Sequence, residues 1–267
     1  MTCHKCHGPM VEREYQRVSD KVTWRCPPKN CRTNTSIRKG SFFERSGLPL
    51  QKLLDLIYYW SLELPHAAIQ IELGVDEKTV TDWTNFLREI CSSELVRNPV
   101  RLGGPGHTVA VDETLVAKRK PGNQQGRPIP ATWVFGAVDL GTGQFFMQIV
   151  DQRDAAHLEP IIRNNILPGT TIWSDQWGAY NNLQNLGMGY IHQTVNHSVH
   201  YVDPVTGVHT NNIEARWSAC KASFKRRHGV ARELLPSYLD EYMWRVRHPH
   251  PDTFEAIIAA IALQYPV

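Results

Sequence analysis

Thr108-Val109-Ala110-Val111-Asp112-Glu113 decides the fold: an apolar, β-branched run that ends in acid. A second run of the same kind, Thr170-Thr171-Ile172-Trp173-Ser174-Asp175, follows about sixty residues later. Alternation of side chains along a strand sends Asp112 and Glu113 to opposite faces, so one of them can serve a given site. Asp112 is the better candidate because it closes the apolar run, and Glu113 is left as an outward or supporting residue.

Working outward, strands are expected at 108–114, 131–138 and 144–150, the last two joined by Asp139-Leu140-Gly141-Thr142-Gly143. A helix is expected over 155–165, a strand at 170–174, a helix at about 177–186 and a strand at 190–195. A His-rich loop covers 196–210, with helices over 212–226 and 233–247. Three strands, a helix, a strand, a helix, a strand and a helix make the order of an RNase-H-like α/β core. Glu214 sits one turn into the helix that starts near Asn211. Two readings of it stand. Asn211-x-x-Glu214 is a capping box, with Glu214 bound to a backbone N–H; or Glu214 joins Asp112 and Asp175 as a third carboxylate.

Three oxygen-donor acids suit hard cations, here two Mg2+ (or Mn2+) ions, and such ions activate water or a 3′-hydroxyl for attack on a phosphodiester. Other acids have ordinary explanations. Asp139 lies in a hairpin turn, Asp154 is an N-cap, and Asp203 precedes Pro204 in a loop. His192, His197, His200 and His209 fall between the second and third acids. A second metal site is one reading of them; lining the loop is the other. His209 and Asn211 come nearest Glu214 and are the candidates for supporting roles. Trp177 and Trp217 lie a few residues past an acid each, and packing against the sheet is the default for both.

The net charge is only +3, but its placement says more. Arg216, Lys221, Lys225, Arg226 and Arg227 follow Glu214, and Lys118, Arg119 and Lys120 follow Asp112. Basic groups around an acidic site are what a phosphate backbone calls for.

Residues 1–45 carry Cys3-x-x-Cys6 and Cys26-x-x-x-x-Cys31, separated by a hairpin-sized segment. Four thiolates in two pairs suit a tetrahedral structural Zn2+ site, which would supply the folding energy such a small module lacks. Scattered free thiols are the alternative. Residues 46–98 are expected to be helical. Within them 65–73, the turn Gly74-Val75, and a helix from Glu77 to Cys91 capped by Asp76 fit a helix-turn-helix that presents Lys78, Thr79 and Thr81 to DNA. A plain helical hairpin is the competing reading. Residues 99–106 look like a linker, 107–250 form the core, and 251–267 a closing C-terminal helix. No apolar run is long enough to cross a bilayer and no signal-peptide pattern is visible, so a reducing intracellular setting is expected.

The strings Gly103-Gly104-Pro105-Gly106, Val111-Asp112-Glu113, Trp133-Val134-Phe135-Gly136, Ile166-Leu167-Pro168-Gly169-Thr170, Ser174-Asp175, Ala179-Tyr180, Thr194-Val195-Asn196-His197 and His209-Thr210-Asn211-Asn212-Ile213-Glu214 occur in order. Together they resemble the Merlin superfamily of DNA transposases, relatives of bacterial insertion-sequence transposases. The resemblance implies a cut-and-paste DDE transposase with Asp112, Asp175 and Glu214 as the metal-binding triad. It also implies recognition of terminal inverted repeats in double-stranded DNA and action as a homodimer or higher oligomer. A eukaryotic source would place such a protein in the nucleus, a bacterial one in the cytoplasm. A DNA-binding regulator that kept the fold, or a structure-selective nuclease, are the alternatives. One departure is Thr114-Leu115-Val116-Ala117-Lys118, which gives Lys118 no family role.

Overall fold

The computed structural model describes residues 1–117, 132–196, 199, 202–227 and 229–266. The chain divides into two compact units, residues 1–91 with 248–267, and 92–247.

The first unit opens with an antiparallel three-stranded sheet, β1 (Val11–Glu14), β2 (Val22–Arg25) and β3 (Asn34–Ser36). Val11 pairs with Arg25 and Glu14 with Val22, so the hairpin between the cysteine pairs forms as expected. Such short strands bury little. The ribbon is closed instead by Cys3, Met10 and Cys26, packed with Trp24 and Cys31. Arg38 ties it to the next element. Its guanidinium is 4% exposed, pairs with Asp20 through Nε at 2.5 Å, and donates to the carbonyls of Ser46 (3.0 Å) and Leu48 (2.6 Å). Hydrogen bonding from Arg38 holds the Asp20 carboxyl below its usual range. Removing one partner of a buried pair strands the other. Arg38→Ala is therefore expected to destabilise the first unit by about 3–5 kcal/mol, read as a lower urea midpoint.

Three helices follow: α1 (Leu50–Ser61), α2 (His66–Leu73) and α3 (Glu77–Arg97). In α1, Leu53, Leu56, Ile57 and Trp60 recur at helical spacing and are buried. Gly74 ends α2 in the left-handed region at φ 58°, where a side chain would be strained. Asp76 then caps α3, its Oδ1 accepting from the Thr79 N–H at 2.7 Å. The C-terminal helix, Thr253–Gln264, belongs to this unit. Phe254 meets Tyr58 edge-on, and Tyr265 just beyond the helix meets Phe42, which also touches Trp83.

The second unit is a five-stranded sheet built from β5 (Thr108–Ala117), β6 (Thr132–Asp139), β7 (Phe145–Val150), β9 (Thr171–Asp175) and β10 (Ile191–Val195). Their order is β10-β9-β5-β6-β7. The first three in sequence pair antiparallel, while β9 and β10 run parallel to β5. A small parallel pair, β4 (Leu102–Gly103) with β8 (Ile166–Leu167), lies beside them. Residues 99–106 are thus not a free linker. Leu102 is buried, and the Gly103 and Gly104 N–H groups donate to Asp139 (3.2 Å) and Thr170 (2.8 Å). Gly103 has φ 81°, and a Cβ there would collide with the Thr170 side chain. Burial pushes the Asp139 carboxyl up, but N–H donors from Thr142, Gly141 and Gly103 outweigh it and hold the group below its usual range.

Helix α4 (Ala155–Asn165) covers one face, its Leu158 and Ile162 packing with Val109, Val111 and Phe135. Helices α5 (Asn211–Arg226) and α6 (Leu235–Arg247) cover the other, where Ile213, Trp217, Leu239 and Met243 pack with Ala110, Val134 and Met147. The result is a mixed α/β core in the expected succession, with one difference. Residues 177–186 form two 3-10 turns, Gly178–Tyr180 and Leu183–Asn185, in place of a helix. Among the described residues no helix is long and apolar enough to cross a membrane.

Candidate active site

Position in the sheet brings the two aspartates together. Ala110 pairs with Trp173 across β5 and β9, and Asp112 and Asp175 each lie two residues further along the parallel strands. Two residues is one full pleat, so both acids keep the face shared by Ala110 and Trp173, the face of α5. Helix α5 answers with a stripe at helical spacing. Glu214 lies in its first turn, Trp217 Nε1 donates to Asp112 Oδ2 at 3.0 Å, and Lys221 Nζ donates to Thr114 Oγ1 at 2.5 Å.

Burial pushes the Asp112 carboxyl up to about 6. The Glu113 N–H and the Trp217 indole counter this, while the charges of Asp175 and Glu214 add to it. Asp175 and Glu214 therefore both lie within electrostatic reach of Asp112. The three carboxylates are not drawn as tightly together as the four thiols, which alone among the described residues form a group of three or more close enough to share a single ion.

The supporting contacts are specific. Asp175 Oδ1 accepts from the Trp177 N–H at 2.9 Å. Glu214 Oε1 accepts from the Thr210 hydroxyl at 2.9 Å. Helix α5 begins at Asn211 with Thr210 as its N-cap residue, so Asn211 and Glu214 do not form the capping box. Asn211 is exposed, and His209 stands edge-on to Trp173 with ring centres 5.3 Å apart. His192 Nε2 lies 2.9 Å from Ser174 Oγ, while His197 and His200 fall outside the described residues.

Gly136 is the partner of Asp112 across β5 and β6. A Cβ there would collide with the ring of Trp217. The glycine is what lets that ring lie on the sheet and reach the aspartate. Gly136→Ala is expected to cost about 1–3 kcal/mol of stability through overpacking, and to displace the indole from Asp112. Circular-dichroism melting and the tryptophan emission spectrum would check the two effects.

Glu113 points to the opposite, α4-covered face as alternation requires. It accepts from the buried Tyr180 hydroxyl and lies 3.9 Å from Arg153. Burial, opposed by Tyr180 and reinforced by Asp112, pushes this carboxyl up to about 7. The spacing of Glu113, Arg153 and Tyr180 in sequence gives no sign of this cluster.

The basic residues after Glu214 separate. Arg216 donates to the Gly143 carbonyl and lies over Phe145. Arg227 pairs with buried Glu241 at 2.8 Å and covers Tyr238. Lys221, Lys225 and Arg226 are exposed. Lys118, Arg119 and Lys120 fall outside the described residues. In the first unit, Lys78 is exposed but pairs with Asp82 at 2.5 Å, the Thr79 hydroxyl donates to Asp76, and Thr81 is half-buried. Cys91 and Cys220 are buried packing residues.

The thiols of Cys3, Cys6, Cys26 and Cys31 all lie within 4.8 Å of one another. Cys3 and Cys26 are buried, and the Thr33 hydroxyl beside Cys31 helps pull that thiol down to about 6. Sulfur donors at such spacing fit a structural Zn2+ ion.

The chain is 28% identical over 97 residues to an uncharacterized transposase-like protein of Haemophilus influenzae (strain ATCC 51907 / DSM 11121 / KW20 / Rd), covering 36% of this chain and 76% of that one. Its fold is loosely similar to a chain of the simian T-cell lymphotropic virus intasome in complex with PP2A regulatory subunit B56 gamma (15% identity, 74% of this chain and 69% of that chain, TM-score 0.37). A similar likeness holds to the BIV integrase catalytic core domain (15% identity, 60% of this chain and 98% of that chain, TM-score 0.36). Residues 101–247, more than half of the chain and all three acids, match the ISXO2-like transposase domain. The chain belongs to that family of transposases.

Proposed function

We propose that the protein is a DDE transposase that cuts DNA at the terminal inverted repeats of a mobile element and joins the freed 3′-hydroxyl to target DNA. What supports this reading is that Asp112 and Asp175 share the α5-covered face of the sheet and Glu214 lies in the first turn of α5, all inside the family segment. An all-oxygen donor set suits Mg2+ or Mn2+, and the mutual repulsion felt at Asp112 is what a cation relieves. Two such ions, when bound, activate an attacking oxygen and stabilise a leaving one. Asp112, Asp175 and Glu214 would hold such ions without having to converge as closely as the four thiols do.

The chain's own groups hold this arrangement. Trp217 orients Asp112, the Trp177 N–H orients Asp175, and Thr210 orients Glu214. Lys221 sets a positive charge beside Thr114, on the face of Asp112. With Lys225 and Arg226 it gives α5 an exposed basic side for the phosphate backbone. Arg216 and Arg227 act more by bracing α5 than by reaching DNA. Helices α2 and α3 serve end recognition as a helix-turn-helix, with Lys78 as the base-facing or phosphate-facing residue. The zinc ribbon joins them in that work. The order of motifs within this segment resembles that of the Merlin superfamily, which supports the cut-and-paste reading. Excision and joining of two ends call for a homodimer or larger assembly.

The test supplies element-end DNA, target DNA and Mg2+, and reads joined product on a denaturing gel. Joining supports the reading. Hydrolysis without joining favours a structure-selective nuclease, and binding without cleavage favours a regulator.

A further inference from the structure

Trp177 departs from its default. Trp217 is buried against the sheet at 4% exposure, whereas Trp177 is 43% exposed, the most open tryptophan side chain among the described residues. It is nonetheless held rigidly. Its indole N–H donates to the Arg153 carbonyl at 2.8 Å, and its ring lies 4.8 Å from the Arg153 guanidinium, which rests on Trp133 at 4.0 Å. Its backbone N–H is the donor that orients Asp175. Residues 152–155 and 177–179 line a shallow, open cleft of about 540 Å³ against this ring, wide enough for one flat ring.

The lining selects its occupant. Arg153 is already engaged by two rings and by Glu113, and the remaining lining offers no other cation, so a phosphate is not what fits. A flat neutral ring does. Gln152 adds an amide able both to donate and to accept at a base edge. A base inside a duplex presents its edges, not its face, so a stacking partner for Trp177 must be unpaired. We infer that this cleft takes one unpaired nucleobase next to the phosphate handled at Asp175, with Trp177 as its stacking platform. The inference rests on the proposed action on DNA and adds the place where the strand beside the cut is held open.

The test is a binding cycle with the full-length protein in buffer that contains zinc but neither Mg2+ nor Mn2+. The probes are a duplex with a short single-stranded extension, and the same DNA made abasic at the first unpaired position. Wild-type protein is expected to bind the abasic probe about 10-fold or more weaker, the size of one base–aromatic stack. Trp177→Ala is expected to bind both probes alike, and Trp177→Phe to recover part of the preference. A 5-iodouracil at that position is expected to cross-link to Trp177. Equal wild-type affinity for the two probes overturns the inference without any variant, and so does a Trp177→Ala protein that still prefers the base. Cleavage and joining in Mg2+ are scored separately. Intact joining with no base preference sinks the cleft alone, while base preference without cleavage by the wild type leaves the cleft standing and sinks the transposase reading.

Discussion

Asp175→Asn is expected to reduce Mg2+-dependent strand cleavage by about a thousandfold or more, in line with the several kcal/mol that metal-held charge supplies in such reactions. The substitution is nearly isosteric. An amide oxygen can still accept the Trp177 N–H that meets Oδ1, so the turn after β9 should survive. What is lost is one negative charge on the face shared with Asp112 and Glu214. DNA affinity should hold within a few-fold or rise slightly, because the phosphate contacts proposed for Lys221, Lys225 and Arg226 are untouched and one repulsive charge has gone. Quantified nicking beside a gel-shift titration separates the two effects. Nicking at the wild-type rate would remove Asp175 from the site.

Cys26→Ser is expected to unfold the front of the first unit and to release its zinc, one atom per chain. Cys26 is buried with Cys3 at the centre of the ribbon, and its Sγ lies 3.3 Å from that of Cys6. The three short strands around it contain few buried apolar residues, so little besides a metal can offset their ordering entropy. Structural zinc contributes about 10–16 kcal/mol in comparable small modules at neutral pH, far more than this sheet could replace. Elemental analysis should find the zinc gone, and limited proteolysis should cut residues 1–45 first. The second unit holds its own core and should keep its melting transition. Chelation of the wild type should reproduce the result, and re-addition of zinc should reverse it.

Much of this was legible because the signals are local. Apolar, β-branched runs placed β6, β7, β9 and β10 to within a residue and β5 with its end three residues short, and Asp154 and Asp76 were recognisable as caps from chemistry that acts over three residues. The spacing of Glu214, Trp217 and Lys221 is written in the sequence as well, although the partners Asp112 and Thr114 are not. What stayed hidden depends on packing across long separations. Residues 177–186 carry Trp, Ala, Tyr and Leu at helical intervals, yet Tyr180 reaches Glu113 and Asn182 reaches Glu159, and those tertiary contacts favour two tight turns. Arg227 sits in a basic run, and nothing local tells that buried Glu241 claims it. Position 211 missed being the cap by one residue, which changed the partner of Glu214 from a backbone N–H to a hydroxyl.

The return of residues 248–266 to the first unit sets an order of assembly on the ribosome. Everything the α/β sheet needs has been synthesised once α6 emerges. The front of the chain, although made first, must wait for Phe254 and Tyr265 to reach Tyr58 and Phe42. Until translation passes those residues, the second unit has its whole chain while the first does not. A nascent chain stalled shortly before Phe254 should therefore resist protease over 92–247 and yield over residues 1–91.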